Sequence, residues 1–177
     1  MGQAGQAPGT AIMSTGAFCE FYRSALPDVY GYLLRLCAGD RAQAEDLTQD
    51  VWLALVEELC HGRTERADVR WLIAVARSRF LDLARRERRR RSKLELIGRV
   101  EETDDEPTGA DVLGCLAELQ PLHRAVLVLR YVDDLAVADI ATVVGRNVTA
   151  TNSLLARARA ELRRSGLRSD AGGTPDA

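Results

Sequence analysis

Apolar positions along this chain recur at steps of three and four residues, and no stretch keeps the period of two that a half-buried strand needs. Phe18, Phe21, Tyr22, Leu26 and Val29 open the pattern, and Tyr30, Leu33, Leu34 and Cys37 carry it past Pro27. Gly39-Asp40 interrupts it. Leu47, Val51, Leu55 and Leu59 then fall at i, i+4, i+8 and i+12, one stripe of a helix predicted over about Ala42–Leu59. Glu45, Asp46, Gln49 and Asp50 lie on its outer side. After a polar loop at His61–Arg66, a third helix is predicted from Asp68, whose carboxylate suits an N-cap. It runs through Trp71, Leu72, Val75 and Leu83 into a series of arginines.

The pattern lapses and then resumes. Val112, Leu113, Leu116 and Leu119 predict a short helix, and Pro121 opens another through Ala125, Val126, Leu129 and Val132. Two more are predicted at Ala136–Val144 and Val148–Arg164, parted at Gly145. The fold class is therefore all-α: two small helical domains joined by a flexible acidic linker, the second a four-helix helix-turn-helix domain. The expected divisions are a disordered leader at 1–13, a first domain at 14–98, the linker at 99–110, a second domain at 111–166 and a disordered tail at 167–177. Met13, followed by Ser14-Thr15, is an alternative translation start to Met1.

Charge changes the picture more than composition does. The formal net charge of −2 argues against a nucleic-acid binder, but the average hides strong segregation. Arg77, Arg79, Arg85, Arg86, Arg88, Arg89, Arg90, Arg91 and Lys93 face only Asp82 and Glu87 in that stretch, a local +7. Glu101, Glu102, Asp104, Asp105 and Glu106 follow, closed by Pro107 and Gly109. No apolar run is long enough for a membrane span and no signal-peptide pattern opens the chain, so a cytoplasmic location is expected. Cys19, Cys37, Cys60 and Cys115 form no CxxC pair, and only His61 and His123 could add imidazole, so no metal site or cofactor is expected. In such a compartment the cysteines read as small buried hydrophobes. No nucleophile beside a base and no paired carboxylates emerge, which argues against an enzyme.

Three segments carry chemistry. Asp139-Ile140-Ala141 with Gly145, then Thr151, Leu155, Ala158 and Leu162 at i, i+4, i+7 and i+11, form a helix-turn-helix pattern. Ala141 permits a close helix crossing, and Gly145 permits the left-handed turn. Thr149, Ser153 and Arg157 project opposite the buried stripe, with Asn147 and Asn152 on the flanks, and such groups suit base edges and phosphates. A plain helical hairpin with a polar face would show the same spacing. The arginine helix can neutralise several phosphates, though a solvated charge run looks alike in isolation. The acidic face Glu45–Trp52 would repel DNA and fits a protein partner or plain solvent. A stand-alone operator-binding regulator accounts for the helix-turn-helix but leaves the acidic and arginine helices without a joint purpose.

The order of these segments is similar to that of extracytoplasmic-function sigma factors. Ala44-Glu45-Asp46-Leu47-Thr48-Gln49-Asp50-Val51-Trp52 resembles the family's core-polymerase-binding helix. Trp71–Arg86 resembles the helix that recognises and melts the downstream promoter element, and Leu119–Arg159 resembles the upstream-element domain. The resemblance implies a non-catalytic subunit with core RNA polymerase and promoter DNA as partners, an anti-sigma protein as the usual regulator and no membrane insertion. It assigns core binding to Glu45, Asp46, Leu47, Gln49, Asp50 and Trp52. It gives the downstream promoter to Arg63, Trp71, Arg77, Ser78, Arg79, Arg85, Arg86, Arg88 and Arg89, with the loop at Cys60–Asp68 holding an unstacked base. The upstream promoter falls to Asn147, Thr149, Ala150, Asn152, Ser153 and Arg157. The acidic linker would mimic nucleic acid inside the polymerase. Two family cations are missing where Asn152 and Leu154 stand, and Ser78 replaces the usual Asn, so weaker phosphate contact or a different preference is expected at the upstream element. Leu154 is expected on a flank of the stripe, free to pack against another protein element.

Overall fold

The computed structural model describes residues 13–63, 67–96 and 112–171. Every regular element among them is helical. The order is α1 (Thr15–Leu36), α2 (Arg41–Cys60), α3 (Val69–Leu96), α4 (Val112–Ala117), α5 (Pro121–Tyr131), α6 (Val137–Val144) and α7 (Val148–Ala171). The leader through residue 12 and the linker expected at 99–110 lie outside the described residues. The tail expected from residue 167 is corrected, because α7 continues to Ala171.

Local chemistry sets the helix starts. The Ser14 hydroxyl accepts from the Ala17 N–H at 3.2 Å, and the Asp40 carboxylate accepts from the Gln43 N–H at 3.0 Å, each satisfying an orphan donor. Pro27 sits inside α1 and forfeits an intrahelical bond there. The helix continues because Ala25, Val29, Tyr32, Leu33 and Leu36 are all fully buried along it. Pro121 opens α5, and the neighbouring Gln120 N–H donates to Glu161 at 2.9 Å. Burial pushes the Glu161 carboxyl up, but its hydrogen bonds with His123 and the Gln120 N–H, helped by nearby positive charge, hold it below its ordinary value.

The first domain is a three-helix packing of α1, α2 and α3. Val29, Leu33 and Leu36 meet Leu47, Val51 and Leu55, and Leu72, Ile73, Ala76 and Phe80 close the interior. Trp52 fastens the start of α1. Its ring meets Phe18 and Phe21 edge-on at 6.3 and 6.1 Å, and Tyr22 at 4.5 Å. In the second domain α5 is the centre, with Ala125 to Leu129 all buried against α6 and α7. The expected stripe of α7 is buried at Thr151, Leu155 and Ala158, while Leu162 is partly covered. Leu154, expected on a flank, is 2% exposed and belongs to this domain's own core. The cysteine expectation holds for Cys37 alone, since Cys19 and Cys115 are half-buried and Cys60 is exposed.

The two domains dock side by side, whereas the linker pattern predicts modules that are merely tethered. α1 and α3 pack against α5, α3 also meets α6, and α1 meets α4. Arg35 of α1 pairs with Asp133 after α5, and Arg70 of α3 pairs with Asp139 of α6 at 2.9 Å. Arg124 of α5 donates to the Leu36 carbonyl across the seam and to Ala117 at 2.6 Å, and its guanidinium lies 5.5 Å from the centre of the Phe80 ring.

Candidate nucleic-acid and polymerase interfaces

The acidic face of α2 forms because its other side is committed to the core. Glu45, Asp46, Gln49 and Asp50 are exposed, separated from Leu47, Val51 and Leu55 by the helical period. Leu47 and Trp52 are corrections to the expected polymerase contacts: they are 6% and 7% exposed and hold α2 in place. The helix has too few apolar residues to spare either one to a partner. Leu53 and Val56 are the exposed apolar residues of α2, and the expected list lacks both.

The arginines of α3 do not share one face. At about 100° per residue they divide into three sets. Trp71, Ser78, Arg85 and Arg89 lie along one line opposite the buried side, and Ser78, Arg85 and Arg89 are exposed. Arg85 bonds Asp82 at 2.8 Å, an exposed pair that binds too weakly to withhold it from a phosphate. Arg79 and Arg86 turn toward α2 and line a groove of about 330 Å³ with Asp46, Asp50 and Asp82. Carboxylates and guanidinium groups thus share one wall, which lowers the positive potential available to DNA there. Arg77 and Arg88 turn toward the second domain. Arg77 is half-buried, and burial pulls its pKa down despite the neighbouring Tyr32 hydroxyl, with Arg146 and Arg85 adding repulsion. The sequence pattern missed this three-way split because counting arginines ignores the angle at which each leaves the axis.

Arg63 is held by Glu58 through two hydrogen bonds, one of 2.9 Å, so its expected role in DNA contact competes with an intradomain pair. The base-holding loop falls partly on residues 64–66, outside the described residues.

The helix-turn-helix is built as its spacing predicts. Gly145 ends α6 with φ 66° and ψ 38°, and the Arg146 N–H returns to the Ala141 carbonyl at 2.9 Å. Any L residue with a Cβ would be strained at that φ. Thr149, Asn152, Ser153 and Arg157 are exposed on α7, and Ala150 is half-buried. Asn147 has a duty the sequence reading missed: its side-chain oxygen accepts from the Ala150 N–H at 2.7 Å and caps α7. The signal was present, since Asn three residues before a helical turn is a capping pattern. Ser153 donates to the Thr149 carbonyl at 3.1 Å and keeps lone pairs free to accept. Thr151, fully buried, donates to the Asn147 carbonyl at 2.9 Å.

Among the described residues no group of three or more His, Cys, Asp or Glu is placed to hold a metal ion. No helix among them is long and apolar enough to cross a membrane.

Known proteins share this arrangement. Residues 21–90 match Sigma-70 region 2, which spans α2 and most of α1 and α3, and residues 110–162 match Sigma-70, region 4, which spans α4 to α7. The ECF RNA polymerase sigma factor SigL of Mycobacterium tuberculosis is 32% identical over 149 residues, 77% of this chain and 81% of that protein. RNA polymerase sigma factor YlaC of Bacillus subtilis is 27% identical over 157 residues, 82% of this chain and 89% of that protein. The sigma factor RpoE of Bartonella quintana, solved with the anti-sigma factor NepR, shares the fold with a TM-score of 0.62 at 20% identity. That likeness covers 84% of this chain and 95% of the other. With region 2 on the arginine helix, region 4 on the helix-turn-helix and relatives matched across both, the chain belongs to the extracytoplasmic-function sigma factors, non-enzymatic subunits that direct RNA polymerase to promoters.

Proposed function

We propose a division of labour among three surfaces of this sigma factor. The acidic face of α2, at Glu45, Asp46, Gln49 and Asp50, docks on core polymerase. The ridge of α3, with Trp71, Ser78, Arg85 and Arg89, holds the downstream element while duplex opens. Thr149, Asn152, Ser153 and Arg157 of α7 read the upstream element in the major groove. The observation that carries this reading is the separation of one acidic, one cationic and one uncharged polar surface on three different helices, each exposed because its opposite side is core. Extracting a base costs a few kcal/mol, least at flexible steps, so the cationic ridge contributes binding while local deformability contributes selectivity.

The site of action is the cytoplasm, where core polymerase meets DNA. An anti-sigma protein is the proposed regulator, by analogy with the partner of the Bartonella structure.

A double dissociation tests the assignment. Reversing charge at Asp46 and Asp50 is expected to abolish pull-down by core polymerase. Arg85→Ala with Arg89→Ala is expected to leave pull-down intact and remove run-off transcription on genomic fragments. Loss of core binding in the arginine variant, or its retention after the charge reversal, would overturn the division.

A further inference from the structure

The seam between the two domains is unlike either interior. Six buried side-chain polar atoms lack a hydrogen-bond partner among the described residues, and five of them belong to one neighbourhood: Tyr32 Oη, Arg35 Nε, Arg77 Nε, Arg124 Nε and Asp133 Oδ2. A permanent core selects against such atoms, because each has given up water for nothing. A surface that spends part of its life open does not, because water satisfies every one of them whenever the seam parts. Charges point the same way. Burial pushes the Asp133 carboxyl up against the pull of Arg35, and burial lowers Arg124 and Arg77. Arg77 and Arg146 also face each other as like charges.

The closed arrangement nevertheless has purpose-built fastenings. Gly31 sits inside α1, where glycine weakens a helix. A Cβ there would lie 3.2 Å from the Arg35 guanidinium, so the glycine makes room for the arginine that reaches Asp133. Arg70, beside the α3 ridge, is tied to Asp139 of the helix-turn-helix. The uncharged turns of α7 that carry Thr149, Asn152 and Ser153 stay exposed in this arrangement, so what closure covers is on the first domain.

We propose that the second domain is a removable mask on the first: in the free chain, the Arg35–Asp133 and Arg70–Asp139 fastenings hold Arg70 and Arg77 away from DNA, and parting of the seam releases them. The mask rests on the α3 ridge being a DNA surface, as proposed above, and adds that the same chain regulates access to it.

The test uses the full chain carrying Cys37 as its sole cysteine, after Cys19, Cys60 and Cys115 are replaced by Ser. Cys37 lines the seam cavity with Phe80, Pro121 and Arg124, and burial pushes its thiol up to about 12. Opening exposes it and lets it ionise nearer the ordinary thiol range, so alkylation by iodoacetamide accelerates. Binding to a short fluorescent duplex of mixed sequence is read by anisotropy. Arg35→Glu sets two carboxylates together and parts the seam. It also removes positive charge, so a gain in duplex affinity reports unmasking rather than added attraction. The expected gain is about tenfold if the closed form outnumbers the open one by that ratio, with faster alkylation. Restoring the pair in reverse, Arg35→Glu with Asp133→Arg, returns both readouts toward wild type. Should Arg35→Glu lose its helical circular dichroism, Asp133→Asn is compared with Asp134→Asn. Asp134 is 96% exposed, so the second variant makes the same charge change outside the seam. Unchanged alkylation and unchanged or weaker duplex binding in Arg35→Glu, or equal behaviour of the two Asn variants, overturns the mask. Run-off transcription with core polymerase is measured in parallel: normal transcription beside those results discards the mask alone, whereas failure of the wild-type chain to join core polymerase discards the functional reading beneath it.

Discussion

Helices α3 and α7 are both assigned to DNA, yet they are built from opposite chemistry. From Arg77 to Lys93, α3 carries nine cations, and its outward ridge is arginine and serine. The first turns of α7, from Val148 to Ala156, carry no charge at all, with Arg146 and Arg157 standing on either side. Arginines neutralise phosphates and release counterions, an attraction that is strong, salt-sensitive and nearly blind to sequence. Hydroxyl and amide groups hold phosphates weakly but match base edges. The difference teaches a partition of work. The first domain supplies grip, and the second supplies discrimination.

The largest effect bearing on this comparison is expected at Leu154. Placing the family's cation there looks like a way to make α7 resemble α3, but the side chain is buried, and Leu154→Arg would put an unpaired charge in the second domain's core. A loss of about 3–5 kcal/mol is expected, enough to unfold a small domain, and thermal melting with hydrogen exchange across α5–α7 measures it. Melting unchanged within a degree or two would show that α7 can expose this position.

Next comes the grip itself. Arg85→Ala with Arg89→Ala is expected to lower the slope of log affinity against log salt by roughly 1.5 to 2, with duplex binding weakened at low salt regardless of sequence. An unaltered slope would take the ridge of α3 out of phosphate contact. The smallest effect is expected from Asn152→Lys, which adds one cation to the exposed face of α7 without touching the core. The slope on an upstream-element duplex should steepen by about 0.9, with little change in melting temperature. If the variant instead loses its preference among upstream sequences, Asn152 is reading a base and the partition is sharper than drawn.

The periodicity made the helices legible because each apolar stripe is a local property: Leu47, Val51 and Leu55 line up on any helix that contains them, and here they are buried. Gly145 was legible for the same reason, since a left-handed residue at a helix end is a matter of its own backbone. The sites were only partly legible. A resemblance marks a stretch of sequence and not the direction of each side chain, so Trp52 and Leu47 were counted with the partner surface although they point inward. Asn147 was counted as a reader although it caps its own helix. The arginines were counted as one patch although three elements divide them.

By itself, then, the sequence determined an all-helical chain, the succession of acidic, basic and helix-turn-helix segments, and the turn at Gly145, because these follow from spacing and from backbone chemistry within a few residues. Tertiary structure alone decided that Arg35 meets Asp133 across 98 positions of chain, that Arg77 is half-buried, and that Leu154 is core. Pairings so distant depend on how two apolar surfaces come to rest against each other, and no local rule along the chain encodes that geometry.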